Sequence, residues 1–180
     1  KIASVETATL SREAGVFSAM ALNRFEEAQF SLEQSLRILD GIGKRETVHF
    51  QARAAALHEL GRVFRYEGNL ASSEEALSKA LGIRNRLARE KMDARHEVAA
   101  TLHELGVLEV KKHNLDSAAT FLQQALNLRR SLDVESPLDG IEADCASTLH
   151  QLAAVQVAMK PPSLDKAEAL LKEALGLNMQ

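Results

Sequence analysis

The sequence predicts an all-α solenoid of antiparallel helix hairpins, on three observations. The stretch Ala55-Ala56-Leu57-His58-Glu59-Leu60-Gly61 returns as Ala100-Thr101-Leu102-His103-Glu104-Leu105-Gly106 and again as Ser147-Thr148-Leu149-His150-Gln151-Leu152-Ala153, so that Leu57, Leu102 and Leu149 stand 45 and 47 residues apart. A period in the range of about 20–50 residues is the mark of a repeat array. The chain is 46% hydrophobic but only 4% aromatic and has no Trp, so its core is built from Ala and Leu, which suits close-packed helices and suits strands badly. Finally, small residues recur seven apart in the second half of each repeat: Ser73 and Ala80, Ala118 and Ala125, Ala167 and Ala174. One helix face lined with small residues lets a second backbone come close.

The elements follow in order. Residues 1–22 read as a helix with Val5, Leu10, Val16, Phe17 and Met20 as loosely spaced apolar positions. Asn23 to Ala28 breaks and restarts the chain. Phe25, Ala28, Leu32, Ser35, Leu36 and Leu39 then fall at the three- and four-residue spacings of an amphipathic helix. Asp40-Gly41-Ile42-Gly43 ends it, with glycines available for a left-handed turn. This hairpin, residues 1–45, is the degenerate member of the set.

The second repeat, 46–92, is a helix from Glu46 to Glu67, a turn at Gly68-Asn69 and a helix from Leu70 to Ala88. The third, 93–138, runs from Asp93 to Lys112, turns at His113-Asn114 and continues from Leu115 to Leu132. Asp133 to Gly140, with Pro137, reads as loop. The fourth, 139–180, has helices from Glu142 to Met159 and from Leu164 onward, joined by Lys160-Pro161-Pro162-Ser163. Leu77, Leu122 and Leu171 lie between the paired small residues and fill the space beside them. Gly61, Gly106 and Ala153 supply close contact from the first helix. A helical Gly costs about 1 kcal/mol against Ala, so its return at matching places points to contact.

Composition narrows the function. A net charge of −3 and a pI near 6.1 give no basic footprint for nucleic acid. No apolar run reaches the roughly 18 residues of a membrane span, and no signal-peptide pattern opens the chain. A single cysteine, Cys145, makes no internal disulfide, which suits a reducing, cytoplasmic setting. Without an initiator Met or a polar terminal helix, the sequence reads as a segment of a longer protein.

Leu-x-x-Leu-Gly in the first helix, Asn-Leu-x-x-Ser/Ala across the turn and Ala-Leu closing the second helix resemble tetratricopeptide repeats, over roughly residues 46–178. The long period resembles the kinesin light chain variety, with His96-Glu97-Val98-Ala99-Ala100-Thr101-Leu102 and Ala125-Leu126-Asn127-Leu128-Arg129 as the nearest match. The resemblance implies a right-handed superhelix whose first helices line a concave groove for peptides or partner proteins. Kinesin light chains carry Asn-Asn in that groove where this chain has His58-Glu59, His103-Glu104 and His150-Gln151.

The candidate groove residues follow from the repeat register. His58, His103 and His150 form a column, flanked by Glu59, Glu104 and Gln151. Four and seven residues after each histidine stand Arg62 and Arg65, then Val107 and Val110, then Ala154 and Val157, with Tyr66 and Lys111 beside them. This makes one end of the groove basic and the other aliphatic. If these residues face the concave side, they fit a protein or peptide partner with an acidic end, since guanidinium binds carboxylate with a planar fork, and an aliphatic end. The alternative is that Arg62 and Arg65 pair with Glu59 or Glu104 and form only a solvated face. The histidines read as packing or hydrogen-bonding residues at repeat junctions, or as ligand contacts. They do not read as metal ligands, because helices about 8–10 Å apart do not bring nitrogens to the about 2.0–2.1 Å that zinc needs.

Cys145 reads as a buried small hydrophobe. No phosphate loop, His-Glu-x-x-His or Ser/His/Asp arrangement appears, so neither catalysis nor a cofactor is expected. The sequence therefore reads as a scaffold or adaptor. Its rivals are the sensor array of a nucleotide-switch ATPase, a self-association module, and an accessory domain of an enzyme.

Overall fold

The computed structural model describes residues 4–42, 46–90, 94–135 and 140–177. Eight helices occupy them: α1 (Val5–Ala21), α2 (Phe25–Asp40), α3 (Thr47–Glu67), α4 (Leu70–Arg89), α5 (Arg95–Lys111), α6 (Leu115–Glu135), α7 (Ile141–Ala158) and α8 (Leu164–Leu177). No strand occurs among the described residues. Consecutive helices pair as hairpins, and the chain divides into two compact units, Lys1–Ala94 and Arg95–Gln180. In the first unit α2 packs on α3, and in the second α6 packs on α7. The expected element ends at Gly43, Asp93 and Pro137, and the stretch after Leu177, fall outside the described residues.

Each of the first three hairpins is closed by one missing methyl group. A Cβ on Gly61 would lie 2.6 Å from Leu77 Cγ and 3.2 Å from the Ser73 carbonyl oxygen; one on Gly106 would lie 2.6 Å from Leu122 Cγ and 3.3 Å from the Ala118 carbonyl. Gly15 does the same against Leu32 Cγ at 2.8 Å and the Ala28 carbonyl at 3.0 Å. The leucines in these contacts are fully buried. The N-terminal hairpin thus shares the device, with Gly15 standing 46 residues before Gly61. In the second hairpin the Ser73 hydroxyl also donates to the Gly61 carbonyl at 2.7 Å.

The fourth hairpin departs from this pattern. Leu171, expected to fill the same space, is 42% exposed. Ala153 already carries the methyl for which Leu77 and Leu122 leave no room, and α8 buries only Ala167 and Ala174. Helix α1 likewise buries small residues, Ala8 and Gly15, and leaves Leu10, Phe17 and Met20 outside.

Two element ends differ from the sequence reading. Gly41 closes α2 with a right-handed φ of −76°, so the expected left-handed turn is not formed there. It is formed at Gly68, with φ of +82°, and at the equivalent His113, with φ of +61°. Helix α6 continues to Glu135, through residues expected to be loop. Leu132, 1% exposed, anchors that extra turn, and Arg95 of α5 bonds Glu135 at 2.6 Å.

Candidate partner-binding face

In the first unit the candidate residues belong to α3. His58 is buried, and the Arg84 guanidinium of α4 donates to its Nδ1 at 3.1 Å. The ring therefore accepts at Nδ1 and carries its proton on Nε2. Its work is inside the hairpin. Glu59 accepts from Arg62 at 3.1 Å across one helical turn, with both side chains about one-fifth exposed. Arg65 is 6% exposed, and its guanidinium carbon sits 4.5 Å from the centroid of the Tyr66 ring. Tyr66 is half exposed and stacks on Phe25 of α2, with centroids 5.5 Å apart and ring planes 13° from parallel.

Glu59, Arg62 and Tyr66 meet in one pocket of about 220 Å³, together with Met20, Phe25 and Val63. A shallower hollow of about 710 Å³ shares Asn23 and Phe25 with it and is walled by Arg24, Glu26, Glu27 and Glu67. Arg24 reaches both carboxylate oxygens of Glu27 at 3.3 Å. Glu26 and Glu67 make no ion pair among the described residues. Partial burial and the like charge of Glu26 push the Glu67 carboxyl up from the ordinary range. The cations expected at this end are thus held by neighbours, while uncompensated charge beside the pocket is acidic. The pairing of Arg62 with Glu59 is the competing reading that the sequence offers, whereas the acids of α2 give no signal in the repeat register.

In the second unit His103 is half-buried, with Nδ1 3.2 Å from the Thr148 hydroxyl of α7. That hydroxyl gives its hydrogen to the Asp144 carbonyl at 2.9 Å and accepts from Arg129. His103 Nδ1 must then be the protonated nitrogen, the opposite tautomer from His58. His150 is exposed. The three histidines of the repeated motif therefore have three environments: buried under Arg84, joined to the next hairpin through Thr148, and open to solvent. Glu104, Val107 and Val110 are half-buried, with Val110 packed on the core, and Lys111 is exposed. On α7, Gln151 is half-buried and Ala154 and Val157 are exposed. Val107 and Val110 are thus the aliphatic candidates on α5, and Ala154 and Val157 those on α7.

Three charged residues carry no mark in the repeated motif. Arg84 and Arg129 each stand 23 residues after their hairpin's glycine and are 7% and 4% exposed. Arg129 donates to the Asp144 carbonyl at 2.7 Å and to the Thr148 hydroxyl, and lies 3.5 Å from the Asp144 carboxylate. Burial lowers its pKa against the raising influence of Asp144, and so tests how much charge this interior tolerates. Glu109, 5% exposed, accepts from Lys112 and Asn114 at 2.7 Å each and ties the turn between α5 and α6. The shared 45-residue offset of Arg84 and Arg129 was the available signal.

Cys145 is 5% exposed within a cluster that includes Leu122 and Leu149. Burial raises its pKa, with Arg129 opposing. We expect native Cys145 to resist iodoacetamide at pH 7.5 and to react at least a hundredfold faster in 6 M urea, read by mass spectrometry. Comparable rates in the two conditions would contradict this placement. No three His, Cys, Asp or Glu side chains converge among the described residues, and no described helix is long and apolar enough to cross a membrane.

Residues 52–131 match the family model for the tetratricopeptide repeat. No curated protein matches the chain. Among solved structures, BtubC (BKLC) from P. vanneervenii superposes with a TM-score of 0.78 at 24% identity, covering 96% of this chain and 63% of that one. This chain therefore spans less than two thirds of that relative's length. A single-substitution form of a Podosopora anserina protein, described as a kinesin light chain with nearly identical TPR-like repeats, gives a TM-score of 0.66 at 21% identity, covering 94% of this chain and 74% of that one. A second P. anserina structure of the same description gives 0.55 at 17% identity, covering 96% and 97%. Residues 52–131 are thus similar to tetratricopeptide repeats, and the described helices share the fold of these repeat structures.

Proposed function

We propose that the chain is a protein-interaction module of scaffold or adaptor type, which holds a segment of a partner protein against its first helices. The observation that carries this reading is the pocket where Glu59, Arg62 and Tyr66 of α3 meet Met20 and Phe25. Met20 is 67% exposed and Tyr66 51%, so apolar and aromatic surface is offered beside a polar pair. Stacking on Phe25 and contact with Arg65 hold Tyr66 in place before any partner arrives, which lowers the ordering cost of binding. Amphipathic aromatics of this kind are frequent anchors at protein interfaces.

The acidic end expected of the partner is not carried into this reading, because Arg62 is already bonded to Glu59. In the second unit, an aliphatic stretch would lie on Ala154 and Val157 of α7. Panning a phage library of random 12-residue peptides on the 180-residue chain tests the reading. Selected peptides should lose at least tenfold affinity on Tyr66→Ala and on Met20→Glu, both exposed positions. They should lose several-fold on Val157→Glu. Unchanged affinity in all three variants would place binding elsewhere and sink the proposal. A panning that enriched nothing would do the same.

A further inference from the structure

The acidic hollow next to the pocket says what charge the partner brings. We infer that the partner segment carries a lysine or arginine beside its apolar anchor, with the apolar side chain in the Met20–Phe25–Val63 pocket and the cation between Glu26 and Glu67. This rests on the interaction reading above and specifies the partner's chemistry.

Three observations support it. The two hollows are adjoining, since Asn23 and Phe25 line both, so neighbouring side chains of one segment reach them together. Of the four charged residues around the larger hollow, Arg24 is spent on Glu27, which leaves two exposed carboxylates with no ion pair among the described residues. Those two feel each other: the Glu26 charge contributes to holding the Glu67 carboxyl above its ordinary range. A cation seated between them relieves that repulsion on binding. A carboxylate seated there would add to it. The cations expected to recruit an acidic segment at this end are committed instead, Arg62 to Glu59 and Arg65 beneath Tyr66. Complementary potentials of this kind set specificity and association rate, and are screened by salt.

The random 12-residue phage library supplies the test, with panning on the wild-type chain and on a Glu26→Lys/Glu67→Lys variant. Both positions are solvent-exposed, so circular dichroism should show the variant folded. Wild type should enrich peptides with Lys or Arg within two residues of Leu, Met or Phe. The best of these, as a fluorescein-labelled synthetic peptide, should bind the charge-reversed variant at least tenfold more weakly. Its affinity should fall as salt rises from 50 to 300 mM. It should also fall on acidification, starting at a pH above the ordinary glutamate range, because Glu67 gains its proton early. Enrichment of acidic or uncharged peptides that still depend on Tyr66 would overturn this inference and leave the interaction module standing. Enrichment of basic peptides indifferent to Glu26 and Glu67 would also overturn it. No enrichment at all would remove both readings.

Discussion

Replacing Leu122 with alanine should lower the stability of the second unit by about 3 kcal/mol, because the side chain is wholly buried and its removal leaves a cavity as well as a lost transfer term. The more telling result concerns Gly106. Alone, Gly106→Ala puts a methyl 2.6 Å from Leu122 Cγ, and Leu122 has no exposed side on which to give way. Overpacking of this sort costs about 1–3 kcal/mol, against which alanine's helix propensity returns about 1. In the Leu122→Ala background the leucine is gone and the Ala118 carbonyl at 3.3 Å remains as the closest neighbour of the new methyl. Gly106→Ala should then be neutral or stabilising by about 1 kcal/mol, so the two changes are strongly non-additive. Urea titrations of the four proteins, read by circular dichroism at 222 nm, measure the cycle. Additive effects would show that the helices are not held apart by this single contact.

Arg129 carries the second large effect. Its guanidinium serves three acceptors on α7: the Thr148 hydroxyl and the carbonyl and carboxylate of Asp144. Arg129→Met keeps much of the apolar stem and removes these bonds, leaving the Asp144 carbonyl and Thr148 oxygen less satisfied. We expect a loss of about 2 kcal/mol. Arg129→Lys should recover less than half of it, since an ammonium does not span several acceptors as a planar fork does. The control is Arg130→Met on the exposed side of α6, which should cost under about 0.5 kcal/mol, as exposed pairs such as Arg130–Glu173 contribute little. Equal losses from the two substitutions would mean that burial of Arg129 is not what matters.

These two residues also show where sequence reasoning reached and where it stopped. The hairpins were legible because Leu57, Leu102 and Leu149 return with small residues at fixed distances. The contact of Gly106 with Leu122 was legible for the same reason. Gly15 was not, because the residues around it do not repeat Leu-His-Glu-Leu even though the spacing holds. Leu171 is misplaced because the register makes Ala153 equivalent to Gly61 and Gly106, although it carries the methyl that those two lack. Arg84 escapes notice, and Arg129 enters only as the end of a matched motif, since arginine in a surface helix ordinarily stays in water.

At the candidate face the repeat register names the right helices but not the charge. Arg62 and Arg65 count in the sequence as cations presented to a partner, whereas their partners come from i−3 and from the neighbouring ring. Phe25, Glu26 and Met20 come from α1 and α2, in the hairpin with the weakest repeat signal. Two of them complete the pocket with α3, and Glu26 shapes the hollow beside it.

Because each glycine notch is matched by a leucine of its own hairpin, the second and third hairpins are self-fitting cassettes. Recombination between Glu46–Glu90 and the corresponding stretch 45 residues on would preserve every notch and its plug. What such an exchange alters is the outward lettering of the first helix and the bonds to the next hairpin, such as Arg129 to Asp144, while the fit inside each hairpin is kept.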